Sequence, residues 1–224
     1  MARRPRVFLK GAAHHIVQRG NNRCDIFRSA EDYKLLLQLL SDTSVEFNLQ
    51  IHANVLMTNH VHFLATPSRA TTIAATMQAI GRVYVPYYNG RYQRTGALFE
   101  GRYRSTIVTS ETYFMTCMRY IELNPVRAGL CSGPESYRWS SYASHALGRP
   151  DALLTNHELY RRLGEHAPDR CHKWRALCAD HVSDPELDRM RRDLKGSGQG
   201  WPKGCLVSNP SDNLESRREG GLTP

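Results

Sequence analysis

Apolar residues recur along this chain in two rhythms, a period of two in short stretches and one near 3.6 in longer ones. Residues 12–18, around His14-His15-Ile16-Val17, read as a first strand, and Arg19-Gly20-Asn21-Asn22-Arg23 interrupts it as a polar, positively charged loop. Ser29 is placed to cap a helix over 30–46, with Asp32 in its first turn and Tyr33, Leu36, Leu37 and Leu40 as its apolar stripe. Residues 49–57 alternate as a second strand, Thr58-Asn59 makes a tight turn, and 60–65 returns as a third strand closed by Pro67. A second helix is expected over 71–84, with Pro86 interrupting it or capping a new turn, and a fourth strand over 105–108. Ser110 caps a third helix with Glu111 at the positive end of its dipole. Phe114, Cys117, Met118 and Ile121 form its buried stripe, and Pro125 is expected to stop it just after Asn124. The order β-α-β-β-α-β followed by one more helix predicts an α+β fold, a ferredoxin-like antiparallel sheet with helices on one face.

Beyond Gly129, the aromatic segment Tyr137-Arg138-Trp139-Ser140-Ser141-Tyr142 is expected to pack back on that core. Arg149-Pro150-Asp151 marks a boundary, so the catalytic domain is expected over 1–150. Residues 153–163 and 171–182 read as helices of an extension over 151–195, and a disordered tail is expected over 196–224, where Gly, Ser, Pro, Asn and charge lack periodicity. The longest apolar runs are far too short for a membrane span, and the basic start lacks a signal-peptide core, so a cytoplasmic, nucleoid-associated protein is expected.

Charge changes this picture. Residues 1–150 hold 18 Lys and Arg against 9 Asp and Glu, whereas 151–224 hold 12 of each, so the whole net charge of +9 sits in the first two-thirds. A domain handling a polyanion has that distribution. Between Arg82 and Arg104 lie five arginines and five tyrosines with Glu100 as the one acid. Arginine neutralises phosphates and aromatic rings stack on unpaired bases, so Arg82, Arg91, Arg94, Arg102, Tyr103 and Arg104 are candidate contacts to single-stranded nucleic acid. Tyrosines half-buried on a sheet face are the competing explanation. The loop residues Arg19, Asn21, Asn22 and Arg23 join the candidates. The six cysteines contain no C-x-x-C pair and read as free thiols in a reducing compartment. A zinc site built from Cys171, His172, Cys178 and His181 matches no common spacing.

The chemistry concentrates in two stretches, Asn59-His60-Val61-His62-Phe63 and Arg119-Tyr120-Ile121-Glu122-Leu123-Asn124-Pro125. On a strand, His60 and His62 point to the same face, and on a helix, Tyr120 and Asn124 are neighbours about 40° apart. If the fold joins these faces, His60, His62 and Asn124 are three neutral ligands for one Mg²⁺ or Mn²⁺ ion beside the phenol of Tyr120. The ion keeps its full charge to polarise a phosphate, and the phenol can attack phosphorus in line, storing the bond as a phosphotyrosine. Tyr113, one helical repeat earlier, is the rival nucleophile. A DNA- or RNA-binding regulator without cleavage activity, and a hydrolytic metallonuclease, are the alternative function classes.

The chain resembles a single-tyrosine HUH transposase of the IS200-like superfamily, and within it the REP-associated tyrosine transposases. The resemblance spans about residues 6–165. It is carried by Arg19-Gly20-Asn21-Asn22-Arg23, Met57-Thr58-Asn59-His60-Val61-His62-Phe63, Phe99-Glu100-Gly101-Arg102-Tyr103-Arg104-Ser105, the run from Arg119 through Asn124-Pro125-Val126-Arg127-Ala128-Gly129, and Trp139-Ser140-Ser141-Tyr142. It implies His60 and His62 as metal ligands, Asn124 as the third and Tyr120 as the nucleophile. It also implies cleavage of single-stranded DNA beside an imperfect hairpin of a palindromic repeat, leaving a 5′-phosphotyrosine and a free 3′-hydroxyl. A basic N-terminal segment, here holding Arg3, Arg4 and Arg6, would help read a tetranucleotide next to the hairpin, and a monomer is implied, with the homodimer of the insertion-sequence branch as the alternative. After Gly200-Trp201-Pro202-Lys203-Gly204 the chain departs from the basic tail of that family.

Overall fold

The computed structural model describes residues 8, 9, 11–179 and 192. Strands β1 (His14–Arg19), β2 (Leu49–Leu56), β3 (His60–Pro67) and β4 (Arg104–Ile107) form one antiparallel sheet in the order β2-β3-β1-β4. Helices α1 (Ala30–Phe47) and α2 (Thr72–Arg91) are the two crossovers, and α3 (Glu111–Arg127) follows β4. This is the expected ferredoxin-like α+β arrangement. Strand alternation divides the core in two. Ile16, Ile51, Val61, Phe63 and Ala65 face α1 and α2, while Ala53, Val55, Met57 and Leu64 face α3 and the later helices. The two crossover helices thus share one face, and the further helix takes the other.

Both helices run past the prolines expected to interrupt or stop them. Helix α2 runs through Pro86 to Arg91 because Tyr84 and Tyr88, one turn apart, are buried, with hydroxyls donating to the Ile26 and Asp25 carbonyls. Those anchors outweigh the backbone hydrogen bond that proline removes. Helix α3 continues through the buried Pro125 and ends where Gly129, at φ 69°, closes it. There the Leu130 N–H donates to the Pro125 carbonyl and the Gly129 N–H to the Val126 carbonyl, a Schellman ending that needs a left-handed residue.

The aromatic segment after Gly129 does return to the core. The Trp139 ring stacks on Tyr33 at 4.5 Å, and backbone bonds from Leu56 to Trp139 and from Ser141 to Asn54 lay residues 139–141 along the outer edge of β2. Farther on, the Thr155 N–H donates to the Ile51 carbonyl beside a bulge at His52, covering more of that edge. This pairing makes the first part of 153–163 extended instead of helical, leaving only α5 (Glu158–Arg161) there, after the short α4 (Tyr142–Leu147). The expected helix over 171–182 is observed as α6 (Ala167–Ala179), and its last residues and the tail over 196–224 lie outside the described residues. Among the described residues no helix is long and apolar enough to cross a membrane.

The later helices are fastened to α3 through a fully buried carboxylate. Glu122 Oε1 accepts from Ser141 Oγ at 2.5 Å and lies 2.6 Å from His145 Nδ1, and Oε2 accepts from Trp174 Nε1 at 2.7 Å. Each hydrogen bond to a charged group is worth about 1.5–3 kcal/mol, and its loss leaves a donor buried without a partner. Glu122→Ala is expected to lower unfolding free energy by about 3–5 kcal/mol in urea titrations. A loss below about 1 kcal/mol would show that this carboxylate anchors nothing.

Candidate active site

His60 and His62 alternate onto the α3 face of β3, the central strand between β1 and β2. Their rings stand edge-to-face with centroids 4.9 Å apart. Val17 on β1 pairs directly with His62, which sets His15 diagonally beside it. His15 Nε2 and His62 Nδ1 are 2.8 Å apart, with both rings buried. The Tyr120 ring stands edge-on to both, at 5.7 Å from His62 and 6.0 Å from His15 between centroids. Residues from the first strand, the third strand and the third helix therefore meet in one cluster. Tyr120 is half-buried, and the Arg127 guanidinium lies 5.4 Å from its ring centre, two turns along the helix. Asn124, also half-buried, follows Tyr120 by one turn. Tyr113 sits in the first turn of α3, at the margin of the core.

The imidazoles are neutral at physiological pH. Burial, aided by the Arg19 guanidinium opposite it in the ladder, holds His60 down to about 4, and burial with the neighbouring rings holds His62 well below its ordinary value. Burial alone lowers His15 to about 3. Each ligand candidate is tied down through Nδ1, His62 to His15 and His60 to Asn59 Oδ1 at 2.6 Å. That leaves Nε2 on both rings, the usual arrangement of a metal-binding histidine oriented by an outer partner. Among the described residues no group of three or more His, Cys, Asp or Glu is placed to hold a metal ion, including around Cys171 and Cys178, whose thiols are free. A metal ion held by the histidine pair would need a third donor, and the half-buried Asn124, one turn beyond Tyr120, has an amide oxygen of the right chemistry for Mg²⁺ or Mn²⁺.

The basic candidates fall into two groups. Arg19, Asn21, Asn22, Arg23, Arg102 and Arg104 gather at the end of the sheet where β3 begins. There Gly20 bridges Phe99, the Gly20 N–H donates to the Asn59 carbonyl, and the Asn21 N–H donates to the Leu98 carbonyl. Gly20 is required by close packing, since a Cβ there would lie 2.1 Å from the Cys24 carbonyl oxygen. Arg82, Arg91 and Arg94 ride on or just after α2 in the opposite layer. Arg91 is partly offset by Glu31 at 3.8 Å. Arg3, Arg4 and Arg6 lie outside the described residues.

The tyrosines of this stretch do not form a stacking platform. Tyr103 is 8% exposed and belongs to the core, so its ring offers no face to a base. Tyr87 and Tyr92 donate to the buried Asp32 carboxylate, which also accepts the Arg28 and Ser29 N–H groups at the start of α1. The cause is the uninterrupted α2, which turns Tyr84 and Tyr88 inward and sets Tyr87 and Tyr92 against α1.

Residues 9–124 match the sequence profile of the family described as "Transposase IS200 like". This chain belongs to the IS200-like transposases. The matched segment runs from just before β1 to Asn124, enclosing both histidines and Tyr120. Among solved structures, the transposase is similar to a REP-associated tyrosine transposase bound to a REP hairpin, at 15% identity and a TM-score of 0.55, covering 70% of this chain and 93% of that one. It is also similar to a putative transposase from Deinococcus radiodurans, at 20% identity and a TM-score of 0.38, covering 50% and 89%. No curated protein sequence matches it.

Buried neutral histidines tie the stability of this transposase to pH. Away from the metal-ligand candidates, burial holds both His14 and His52 at about 4, against 6.5 in the unfolded chain. Their contribution is intact above 6.5 and is lost as pH falls toward 4, because only the unfolded chain takes up protons in that window. Together they remove on the order of 7 kcal/mol, comparable to the whole stability of a domain. Circular dichroism is therefore expected to show cooperative unfolding before pH 4 is reached, and a fully native spectrum there would contradict the burial of these rings.

Proposed function

We propose that this transposase is a metal-dependent single-stranded DNA endonuclease and strand transferase that acts beside hairpin-forming repeats through a 5′-phosphotyrosine. The observation that carries this reading is the edge-on approach of Tyr120 to His62, 5.7 Å between ring centres, from elements far apart in sequence. His60, His62 and Asn124 would hold Mg²⁺ or Mn²⁺, which supplies charge to polarise the scissile phosphate.

The chain's own groups do the rest. The Tyr120 hydroxyl oxygen forms a bond to phosphorus as the bond from phosphorus to the 3′-oxygen breaks. The phenol gives up its proton and the departing oxygen acquires one, so charge and protons balance. Partial burial of the Tyr120 ring against His15 and His62 limits its rotamers and holds the oxygen near the site. Because the phosphodiester energy is kept in the tyrosyl ester, a second 3′-hydroxyl can reverse the step and join new ends. Arg19, Arg23, Arg102 and Arg104, all exposed around the same end of the sheet, would neutralise the backbone of the strand entering the site. The REP hairpin held by the structurally similar transposase supports hairpin DNA as the substrate class. Approach of Tyr120 to histidines of its own chain supports action as a monomer.

With a hairpin-bearing oligonucleotide and Mn²⁺, wild-type protein is expected to leave a covalent protein–DNA adduct on a denaturing gel. Tyr120→Phe should abolish cleavage while hairpin affinity stays within a few-fold. Cleavage by that variant, with products free of protein, would replace this mechanism with a hydrolytic one, and hairpin retardation without any cleavage by wild type would leave a binding regulator. His60→Ala is expected to lose cleavage with its melting temperature in metal-free buffer nearly unchanged. A large drop in melting temperature would assign that histidine to folding instead.

A further inference from the structure

Asn59, in the turn before β3, touches two elements at once. Its Nδ2 lies 3.1 Å from the Arg23 carbonyl oxygen, and its Oδ1 lies 2.6 Å from His60 Nδ1. A carbonyl oxygen only accepts, so the end of the Asn59 amide facing Arg23 must be the NH₂. The end facing His60 is then the oxygen, which also only accepts. His60 Nδ1 therefore carries the proton and donates it, and in the neutral ring the lone pair resides on Nε2. No freedom remains in this chain of assignments once the Arg23 carbonyl is fixed.

The Arg23 carbonyl is fixed by an unusual backbone. Asn22 and Arg23 are both left-handed, at φ 51° and 59°, a conformation L-residues visit rarely and singly. The loop is bolted on either side. The Arg23 N–H donates to the Gly20 carbonyl, the Cys24 N–H to the Asn21 carbonyl, and the Ile26 and Phe27 N–H groups to the Thr58 carbonyl. The loop thus closes on the same turn that carries Asn59. Asn59 and Arg23 themselves are at least partly accessible, so packing alone does not explain the arrangement.

We infer that Asn59 is a positioning residue that sets the His60 tautomer for metal binding, reading its own orientation from the left-handed loop through the Arg23 carbonyl. The inference draws its consequence from the metal reading above, but the tautomer can be tested without metal. It also makes loop and metal site one unit, so DNA that shifts the Arg23 carbonyl alters the ligand's proton placement.

Nitrogen NMR of the histidine rings in metal-free full-length protein, at about pH 8 where the rings are neutral, tests this. Wild type is expected to show His60 protonated on Nδ1. Asn59→Ala should mix the two tautomers and lower Mn²⁺ affinity, followed by electron paramagnetic resonance, about 10–100-fold. Asn59→Asp keeps an acceptor for His60 but loses the donor to Arg23. It should retain the Nδ1 proton and hold Mn²⁺ affinity within a few-fold, while the amide signals of residues 21–24 move in both variants. A wild-type His60 protonated on Nε2, or an Asn59→Ala ring identical to wild type, would overturn the inference. Wild type with the expected tautomer and no Mn²⁺ binding upholds the positioning role and overturns the metal reading alone.

Discussion

The buried carboxylate of Glu122 governs where the nucleophile candidate can point. Tyr120 and Asn124 flank it by two residues on α3, so whatever fixes the rotation of that helix about its axis fixes them. Apolar packing alone would tolerate some slippage, because Phe114, Cys117, Met118 and Ile121 present a smooth stripe to the sheet. Three directional hydrogen bonds from Ser141, His145 and Trp174 do not. They are strong because the group is wholly desolvated, and their donors come from α4, α6 and the segment between α3 and α4. The chain after α3, from Ser141 to Trp174 on α6, therefore helps set the rotation of α3, although the family match ends at Asn124.

The opposite layer uses the same device. Asp32, also fully buried, gathers the Arg28 and Ser29 N–H groups and the hydroxyls of Tyr87 and Tyr92, joining the start of α1 to the end of α2. Four donors on one carboxylate hold its proton affinity below the usual range against the opposing effect of burial. Each face of the sheet thus carries an acid that clamps its helices in register, and the imidazole cluster lies on the α3 face.

Strand order, the two crossover helices and the meeting of Tyr120 with the histidine pair were legible in the sequence, because each depends on short-range periodicity plus a connection rule. His60 and His62 share a face by the pleat alone, and their approach to Tyr120 needs only that α3 cover that face. Other features depended on contacts between distant residues. His15 stood inside an ordinary apolar strand, and its role emerges only from the diagonal register with His62. Pro86 and Pro125 signal helix ends locally, yet Tyr84, Tyr88 and the Gly129 ending carry both helices past them. Tyr103, read as a base-stacking ring from its arginine neighbours, instead packs into the core shared with α1 and α2. Glu122 resembled any helix-surface glutamate until Ser141, His145 and Trp174 were folded around it.

The sealed flank of β2 has a consequence for the protein's behaviour in a crowded cell. A sheet grows into fibrils by recruiting foreign strands along unpaired backbone. Here the Trp139–Ser141 and Thr155 backbones occupy one border, and the other is β4, four residues long and opening on the exposed Arg104. A partner strand finds little to template on, so the sheet resists amyloid-like stacking even while its basic end stays open for a polyanion.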